Sequence, residues 1–363
     1  MTRDERYMHR ALALALRGAG RTAPNPMVGC LLVKAGRVIA EGWHQCCGGD
    51  HAEVDALKKA GGKACGATAY VTLEPCAHQG RTPPCVEALL AAGIARVVVA
   101  MLDPNPRTNG KSVEKLRASG VTVLTGVCEN EARQLNVAFI KYITAAMPHV
   151  TVKTAQTIDG KAGTRSGQVK WITSPDTRLK AKERRNDFDA IVVGVDTVIA
   201  DDPQLDAPGR ALVKVVVDST LRMPVEAKLF NGVRPGQVIV AVTRRAALAQ
   251  RQAFLKRGMG IIVCPAKDGR VDLKALFKAL AKIGLVRILI EGGPTLVKAV
   301  LAAGLADCVH AYIAPQIMGK AHADAIDGVD LAGVFNGGGF EIRSVERIGP
   351  DIFIEADHVH RHH

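Results

Sequence analysis

A histidine, a glutamate and two cysteines lie close together in the first quarter of this chain, in a pattern typical of a zinc site. One residue separates His51 from Glu53, and Pro75-Cys76 is followed, after eight residues, by Cys85. One imidazole and two thiolates fill three positions of a tetrahedral Zn²⁺ and leave the fourth open for water, as in catalytic zinc sites. We therefore predict that His51, Cys76 and Cys85 bind zinc.

Hydrolytic deamination is the reaction that this residue set favours. Zn²⁺ lowers the pKa of a bound water from about 9 to near 7, and the hydroxide can attack an amine-bearing ring carbon. Glu53 lies two residues from His51, so the two side chains do not share a helix face, and we expect Glu53 to carry the proton to the departing amine. Zinc deaminases follow the same order of residues, although the gap between their cysteines is usually two residues.

The longer loop between the cysteines predicts extra substrate contacts. It places His78 and Arg81 beside the metal, where they can bind a polar or anionic substrate. Residues 72–74 read as a strand end and residues 83–85 as a helix start, which puts thiols at positions where helix dipoles lower their pKa. The alternative is a pair of buried free thiols beside an unrelated histidine.

Length and composition are consistent with a two-domain enzyme. The chain has 363 residues, of which 48% are hydrophobic. It contains no apolar run of the roughly 18 residues that cross a membrane, and its first residues lack a signal peptide's pattern, so we expect a cytoplasmic protein without membrane partners. An odd number of cysteines, nine, favours reduced thiols over a disulfide framework.

The formal charge of +13 raises an alternative, an RNA-directed deaminase or a zinc-stabilised RNA-binding module. Aromatic residues make up only 4% of the chain, which leaves few surfaces for base stacking, and the basic residues are spread along the sequence. Phosphorylated small molecules are polyanions that can use the same positive field. We therefore expect no nucleic-acid partner.

Alternating apolar strands and helices predict two α/β domains, residues 1–146 and 147–363. In the first half we expect helices over 4–18 and after residues 50, 84, 110 and 129, with strands near 27–33, 37–42, 68–73 and 95–100. In the second half we expect a helix after Ser174-Pro175 and strands near 150–155, 190–194, 213–217, 238–242 and 287–290.

The second half lacks the G-x-G-x-x-G fingerprint of ordinary dinucleotide-binding domains. It offers another phosphate cradle, because residues 289–296 read as a strand, a Gly292-Gly293 turn and a helix start. Such turns serve packing at least as often as binding, so this signal is weak by itself.

Several strings together resemble the bacterial bifunctional deaminase/reductase of riboflavin biosynthesis. They occur in order along nearly the whole chain and comprise residues 24–29, 42–44, 72–85, 157–161, 171–174, 200–203 and 291–295. The resemblance implies a cytidine-deaminase-like three-layer sandwich followed by a dihydrofolate-reductase-like α/β domain. It also implies zinc-dependent deamination of a phosphoribosylated diaminopyrimidinone and NADPH-dependent reduction of the ribosyl group to ribityl. A nucleoside or tRNA deaminase with an accessory domain is the competing interpretation, and a homo-oligomer is left open.

The resemblance also assigns binding residues. For the deaminase substrate these are Asn25, His44, His78 and Arg81. For NADPH they are Ala155, Trp171, Thr197, Asp201, Ser219, Gly292, Gly293, Thr295 and Leu296. For the reductase substrate they are Arg185, Leu205, Arg210 and Glu291.

Two positions depart from the family pattern. Val169 stands where serine is common, and residues 205–210 replace the usual Leu-Thr-x-Arg, which leaves Arg210 as the candidate for the missing arginine. No residue of the second half has the pattern of an essential nucleophile, so we expect orientation and electrostatics to dominate there. Lys153 and Asp159 are candidate helpers, with a structural role on the strand as the alternative.

Overall fold

The computed structural model of the chain describes residues 1–77, 84–106, 108–164, 171–319, 322–326 and 339–359. The chain folds into two compact units, Met1–Met147 and Pro148–His363. Across the described ranges, no helix combines the length and the apolar character needed to span a membrane.

The first unit alternates helices and strands. Its helices are Arg3–Leu16 (α1), Ala52–Ala60 (α2), Cys85–Ala91 (α3), Lys111–Ala118 (α4), Glu129–Leu135 (α5) and Val137–Ala145 (α6), with a 3₁₀ turn at Gly61–Ala64. Its strands are Gly29–Lys34 (β1), Arg37–Trp43 (β2), Thr68–Leu73 (β3), Arg96–Met101 (β4) and Thr122–Thr125 (β5).

These strands form a mixed sheet in the order β2-β1-β3-β4-β5. Strand β1 is antiparallel to β2 and β3, whereas β3, β4 and β5 run parallel. One core includes buried side chains from the sheet and from helices α1 to α5, such as Met8, Leu89 and Leu116. This layered arrangement is the predicted deaminase-like sandwich, and it brings the end of β3 and the starts of α2 and α3 into one region.

Glycine at position 42 permits the close approach of α2 to the sheet. A Cβ atom there would lie 2.3 Å from the carbonyl oxygen of Ala52 and 2.5 Å from the nitrogen of Ala56. Because real Cβ contacts are never so short, only glycine lets β2 support the first turn of α2. That turn carries the predicted catalytic residues.

The second unit is built around a longer sheet. Its helices are Pro175–Arg184 (α7), Val195–Asp201 (α8), Leu248–Lys256 (α9), Leu273–Lys282 (α10) and Pro294–Ala302 (α11), with 3₁₀ turns at Arg185–Asp187 and Lys228–Phe230. Its strands are His149–Thr157 (β6), Lys161–Thr164 (β7), Ala190–Gly194 (β8), Val213–Val217 (β9), Val238–Val242 (β10), Gly260–Val263 (β11), Ala266–Lys267 (β12), Arg270–Val271 (β13), Arg287–Ile290 (β14), Cys308–Ala314 (β15), His322–Asp324 (β16), Phe340–Ile348 (β17) and Asp351–His358 (β18).

The order of the main sheet is β11-β10-β9-β8-β14-β6-β15-β18-β17. Neighbours are parallel from β11 to β15, and the last two strands join antiparallel. The carboxyl ends of β9, β8, β14 and β6 therefore lie along one edge of the sheet. In open α/β sheets, ligands bind at such an edge.

Each helix and strand predicted from the sequence is present, with bounds that differ by a few residues. The α/β fold class is confirmed. Several further elements are not predicted from the sequence, among them the C-terminal antiparallel strands β17 and β18, in which polar residues break up the apolar runs.

Candidate active sites

The three predicted metal ligands converge at the meeting point of β3, α2 and α3. Nδ1 of His51 lies 3.1 Å from Sγ of Cys85 and 3.5 Å from Sγ of Cys76. Sγ of Cys76 also accepts a hydrogen bond from the backbone N–H of Cys85, at 3.2 Å. All three donor atoms lie within 4.8 Å of one another. One nitrogen and two sulfurs at this spacing suit a tetrahedral zinc ion with one open position.

Local structure explains why these side chains face one another. His51 occupies the N-cap position of α2 in an extended conformation, and its ring makes no capping bond. Pro84 precedes Cys85 at the start of α3, as the Pro-Pro-Cys string predicts. Cys76 lies three residues beyond the end of β3.

His51, Cys76 and Cys85 shift one another's pKa values. The hydrogen bond with Cys85 is the main reason that the pKa of Cys76 falls to about 4, and the contact with His51 lowers it further. The hydrogen bond with Cys76, together with burial, raises the pKa of Cys85. The hydrogen bond to Cys76 raises the pKa of His51. One thiolate is thus already available at neutral pH, and metal binding there would release the remaining protons.

Glu53 lies in the first turn of α2 and is only 3% exposed. Burial raises the pKa of its carboxyl group to about 7. Because general acid-base catalysts work best when their pKa is near the working pH, this carboxyl group can both accept and return a proton.

Asn25 and His44 form a hydrogen-bonded pair beside His51. Nδ2 of Asn25 lies 3.2 Å from Nε2 of His44, and Nδ1 of His44 lies 2.9 Å from the carbonyl oxygen of Asp50. The His44 ring packs edge-on against the His51 ring at 5.6 Å, and burial lowers the pKa of His44. A neutral His44 that donates to Asp50 accepts from Asn25. His78 and Arg81 lie outside the described residues.

Glu74 is a positioning residue for Cys76, a role that its place in the family motif does not by itself indicate. Its buried carboxylate accepts hydrogen bonds from the backbone N–H groups of Asp103, Gly110 and Ser112, and from the Ser112 hydroxyl. These bonds fix the segment that enters Cys76. The sequence signal that could have indicated this role is a glutamate placed between an apolar strand and a ligand cysteine.

In the second unit, the predicted cofactor residues gather at the carboxyl edge of the parallel strands. Ser219 follows β9, Thr197 lies in α8 after β8, and the Gly292-Gly293 turn follows β14. The backbone N–H of Gly293 donates to Oγ1 of Thr197 at 2.8 Å. The structure thus joins two segments that are 96 residues apart in the sequence.

The glycine turn leads directly into α11, which has Pro294 in its first turn. A Cβ atom on Gly292 would lie 3.2 Å from the Leu296 side chain and 3.3 Å from the nitrogen of Gly194. Leu296 is buried, whereas Thr295 is exposed at the helix start. Helix N-termini that follow a glycine turn can accept a phosphate group.

Glu291 is the centre of a half-buried charged group at the end of β14. Arg185 donates to both of its carboxylate oxygens at 2.9 Å, and Nζ of Lys153 lies 3.4 Å from one of them. Burial alone raises the pKa of Glu291, but Lys153 and Arg185 outweigh that effect and lower it. Nη1 of Arg185 donates a hydrogen bond to the carbonyl oxygen of Asp206 at 2.8 Å. Lys153 therefore belongs to this group, whereas Asp159 accepts from the backbone N–H groups of Met318 and Gly319 in a turn.

The other predicted residues of this unit have mixed surroundings. Ala155 is half-buried on β6, Ser219 accepts from the N–H of Val271, and Asp201 is exposed at the end of α8. Trp171 is 60% exposed and lies under the Arg178 guanidinium.

Leu205 and Arg210 do not face Glu291 with their side chains. Leu205 is 5% exposed within a hydrophobic core cluster, in a left-handed conformation with a φ of 56°. Arg210 donates to the Asn186 carbonyl and to Asp189. A direct role for Leu205 in substrate binding is thus restricted to its backbone. Val169 lies outside the described residues.

Comparison with known families places each unit. Residues 1–101 match the zinc-binding region of cytidine and deoxycytidylate deaminases, and residues 148–354 match the RibD C-terminal domain. The riboflavin biosynthesis protein RibD of Actinobacillus pleuropneumoniae is 40% identical, with 97% of this chain and 94% of the relative covered. RibD of Escherichia coli is 39% identical, with 96% of this chain and 98% of the relative covered.

Solved structures agree over the full length. A structure of Acinetobacter baumannii RibD has a TM-score of 0.88 at 37% identity, with 99% of each chain covered. A Thermotoga maritima protein described as a diaminohydroxyphosphoribosylaminopyrimidine deaminase and phosphoribosylaminouracil reductase has a TM-score of 0.85 at 34% identity, with 98% of this chain and 99% of that chain covered.

Proposed function

This chain belongs to the RibD family of riboflavin biosynthesis proteins, and on that premise we propose which residues perform its two reactions. The first unit deaminates a phosphoribosylated diaminopyrimidinone. The second unit reduces the ribosyl group of the resulting aminouracil to ribityl with NADPH. The convergence of His51, Cys76 and Cys85 beside the buried Glu53 is the observation on which the first assignment depends.

Nδ1 of His51 and the sulfurs of Cys76 and Cys85 would hold the zinc ion. When bound, zinc supplies the Lewis acidity that makes water a nucleophile at neutral pH. The donor set fits, because the three atoms already face one another and Cys76 is readily ionised. Glu74 maintains this arrangement by fixing the segment before Cys76.

Glu53 moves the proton in deamination. Its carboxylate accepts a proton from the attacking water and returns it to the amine, which departs as ammonia. The carboxyl pKa of about 7 suits both transfers. Asn25 and His44 form a fixed polar pair that orients the pyrimidine. The family resemblance assigns His78 and Arg81 to the same substrate.

In the second unit, NADPH supplies the hydride when bound. We expect Gly292, Gly293, Thr295 and Leu296 to receive its phosphates at the start of α11, because a helix N-terminus favours anions. Glycine at position 292 lets this turn pack closely against Leu296 and Gly194. The family resemblance assigns Ala155, Trp171, Thr197, Asp201 and Ser219 to the rest of the cofactor site, and Thr197 and Ser219 lie near the carboxyl ends of β8 and β9.

Glu291 orients the ribosyl group of the reductase substrate. Its carboxylate is held by the two-pronged bond from Arg185 and by Lys153, so its oxygens are fixed before substrate arrives. Arg185 thus acts as a positioning residue for Glu291. The Leu205 backbone and Arg210 complete the assignment that the family resemblance implies.

A coupled assay on zinc-loaded protein tests this assignment. With the phosphoribosylated diaminopyrimidinone and NADPH, we expect ammonia release followed by NADPH oxidation. Ammonia release without NADPH oxidation would contradict the second assignment. Deamination of cytidine or adenosine instead would support the competing nucleoside deaminase interpretation.

A further inference from the structure

A second group of metal-binding side chains lies in the first unit, outside the proposed deaminase site. His9 projects from α1, Cys128 immediately precedes α5, and Glu131 lies in the first turn of α5. Nε2 of His9 is 3.8 Å from Sγ of Cys128. One donor atom from each of the three residues lies within 4.8 Å of the other two.

We propose that His9, Cys128 and Glu131 form a second metal site, which binds divalent ions of the zinc class. An imidazole nitrogen, a thiolate sulfur and a carboxylate oxygen are the three donor types that Zn²⁺ binds in proteins. Metal-bound sulfur and nitrogen atoms at tetrahedral angles are separated by about 3.6 Å, given bond lengths of about 2.3 and 2.1 Å. The observed separation of 3.8 Å is close to that value, so little movement is needed.

The surroundings of the group are acidic and accessible. A cleft of about 460 Å³ is lined by Glu5, His9, Gly126, Cys128, Glu129, Asn130 and Glu131. Glu129 is paired with Arg133 at 3.3 Å, and Glu5 caps α1 through Thr2. Among the described residues, Glu131 has no cationic partner. The cleft therefore concentrates negative charge in a chain whose formal charge is +13.

The backbone at Cys128 is held in an uncommon conformation. Cys128 has a φ of 58°, in the left-handed region that few residues other than glycine adopt. Such conformations persist only where the surroundings hold them, so the position of this residue at the start of α5 is well determined. Burial, together with Glu131 and Glu5, raises the pKa of Cys128, and metal binding there would require loss of the thiol proton.

Cobalt titration of the full chain tests the second site. The metal-free protein first receives one equivalent of zinc, which the cluster with two thiols should take, and is then titrated with Co²⁺. We expect a sulfur-to-cobalt charge-transfer band that saturates at one equivalent. The histidines at the C-terminal end, at positions 358, 360, 362 and 363, can bind cobalt but cannot produce this band.

Matched variants locate the band. Cys128→Ser should abolish it, whereas Cys65→Ser, which removes an exposed thiol elsewhere in the first unit, should leave it unchanged. His9→Ala should weaken cobalt binding at least about tenfold, since even outer partners of metal ligands are worth roughly 10- to 100-fold in affinity. Deamination should be unchanged in these variants.

Absence of the band in the parent protein, or its persistence in Cys128→Ser, would overturn the proposal. The band is measured without substrate, so failure of the second site is distinguishable from failure of the proposed deaminase function. A Cys76→Ser variant that loses deamination but retains the band sensitive to Cys128→Ser would support the second site independently.

Discussion

The two proposed active sites are built in different ways. The deaminase site takes its ligands and its proton carrier from 35 consecutive residues, His51 to Cys85, whose described part contains one strand, β3. The reductase site gathers residues from Ala155 to Leu296, at the ends of several parallel strands. The first site is thus encoded locally, whereas the second depends on the order of the strands in the sheet.

This difference affects what holds each site together. In the first unit, His51, Cys76 and Cys85 hold one another through direct contacts, and a bound metal would reinforce them. In the second unit, the half-buried charge of Glu291 is balanced by Arg185 and Lys153, which come from other elements. We therefore expect substitutions at the first site to impair the deamination step itself, and substitutions at the second site to misorient the groups that bind the reductase substrate.

The largest expected effect is that of Glu53→Gln. The amide cannot accept the proton, so ammonia release should fall by about 10²- to 10⁴-fold while zinc content and reduction of the preformed aminouracil stay unchanged. Glu87→Gln, at an exposed ion pair in the same unit, is the control. Normal deamination in Glu53→Gln would disprove the assigned role.

A smaller effect is expected from Arg185→Lys in the second unit. A lysine cannot reproduce the two parallel bonds to Glu291, so the carboxylate should lose its fixed orientation. Reductase kcat/KM should fall by about 10²-fold, the loss that misplaced reacting groups can cause, with deamination unchanged. Arg222→Lys, in an exposed ion pair, serves as the matched control. If both variants reduce equally well, Arg185 does not position Glu291.

Gly42→Ala should weaken the first unit through packing. The added methyl group meets the backbone of α2 at 2.3 Å, and overpacking of this kind costs about 1–3 kcal/mol. Thermal inactivation of deamination should occur at a lower temperature, while the reductase is unaffected. Gly62→Ala, where no heavy atom lies within 4 Å, should change little. Equal stabilities for the two variants would argue against the close contact.

The smallest effect concerns the C-terminal strands of the second unit. The contact with His310 is the main reason that the pKa of Glu355 falls from 4.5 to about 2. Because the folded-state value is the lower one, the stabilisation is present above pH 4.5 and is lost as the pH falls through 2. Glu355→Gln should therefore lower the free energy of unfolding at pH 6 by at most about 1 kcal/mol.

Urea unfolding of the second unit, measured at a series of pH values, checks this expectation. The difference between the parent protein and Glu355→Gln should shrink as the solution is acidified. Glu341→Gln, at an exposed position of the adjacent strand β17, is the control variant. A difference that stays constant with pH would contradict the assigned cause.

The sequence allowed more to be predicted of the first site than of the second. The zinc ligands are fixed by residue type and short spacing, and the structure brings all three together. The helices and strands also follow from apolar periodicity. The role of Glu74 was not predicted, because its partners at 103, 110 and 112 lie on a different segment and donate mainly backbone N–H groups.

In the second unit, motif matching identified positions but not orientations. Leu205 and Arg210 flank a segment that departs from the family pattern, and their side chains point to a core cluster and to Asp189. Such directions depend on tertiary packing, which residue spacing alone does not determine. Lys153 was predicted only as a candidate helper, since its contact with Glu291 joins residues 138 positions apart.

Mixing two single-site variants tests most directly whether the two reactions occur at separate sites. Glu53→Gln and Glu291→Gln proteins are each given the phosphoribosylated diaminopyrimidinone and NADPH, alone and then together. We expect no ammonia from the first, ammonia without NADPH oxidation from the second, and both signals from the mixture. Failure of the mixture to oxidise NADPH, or loss of ammonia release in the folded Glu291→Gln variant, would contradict the account.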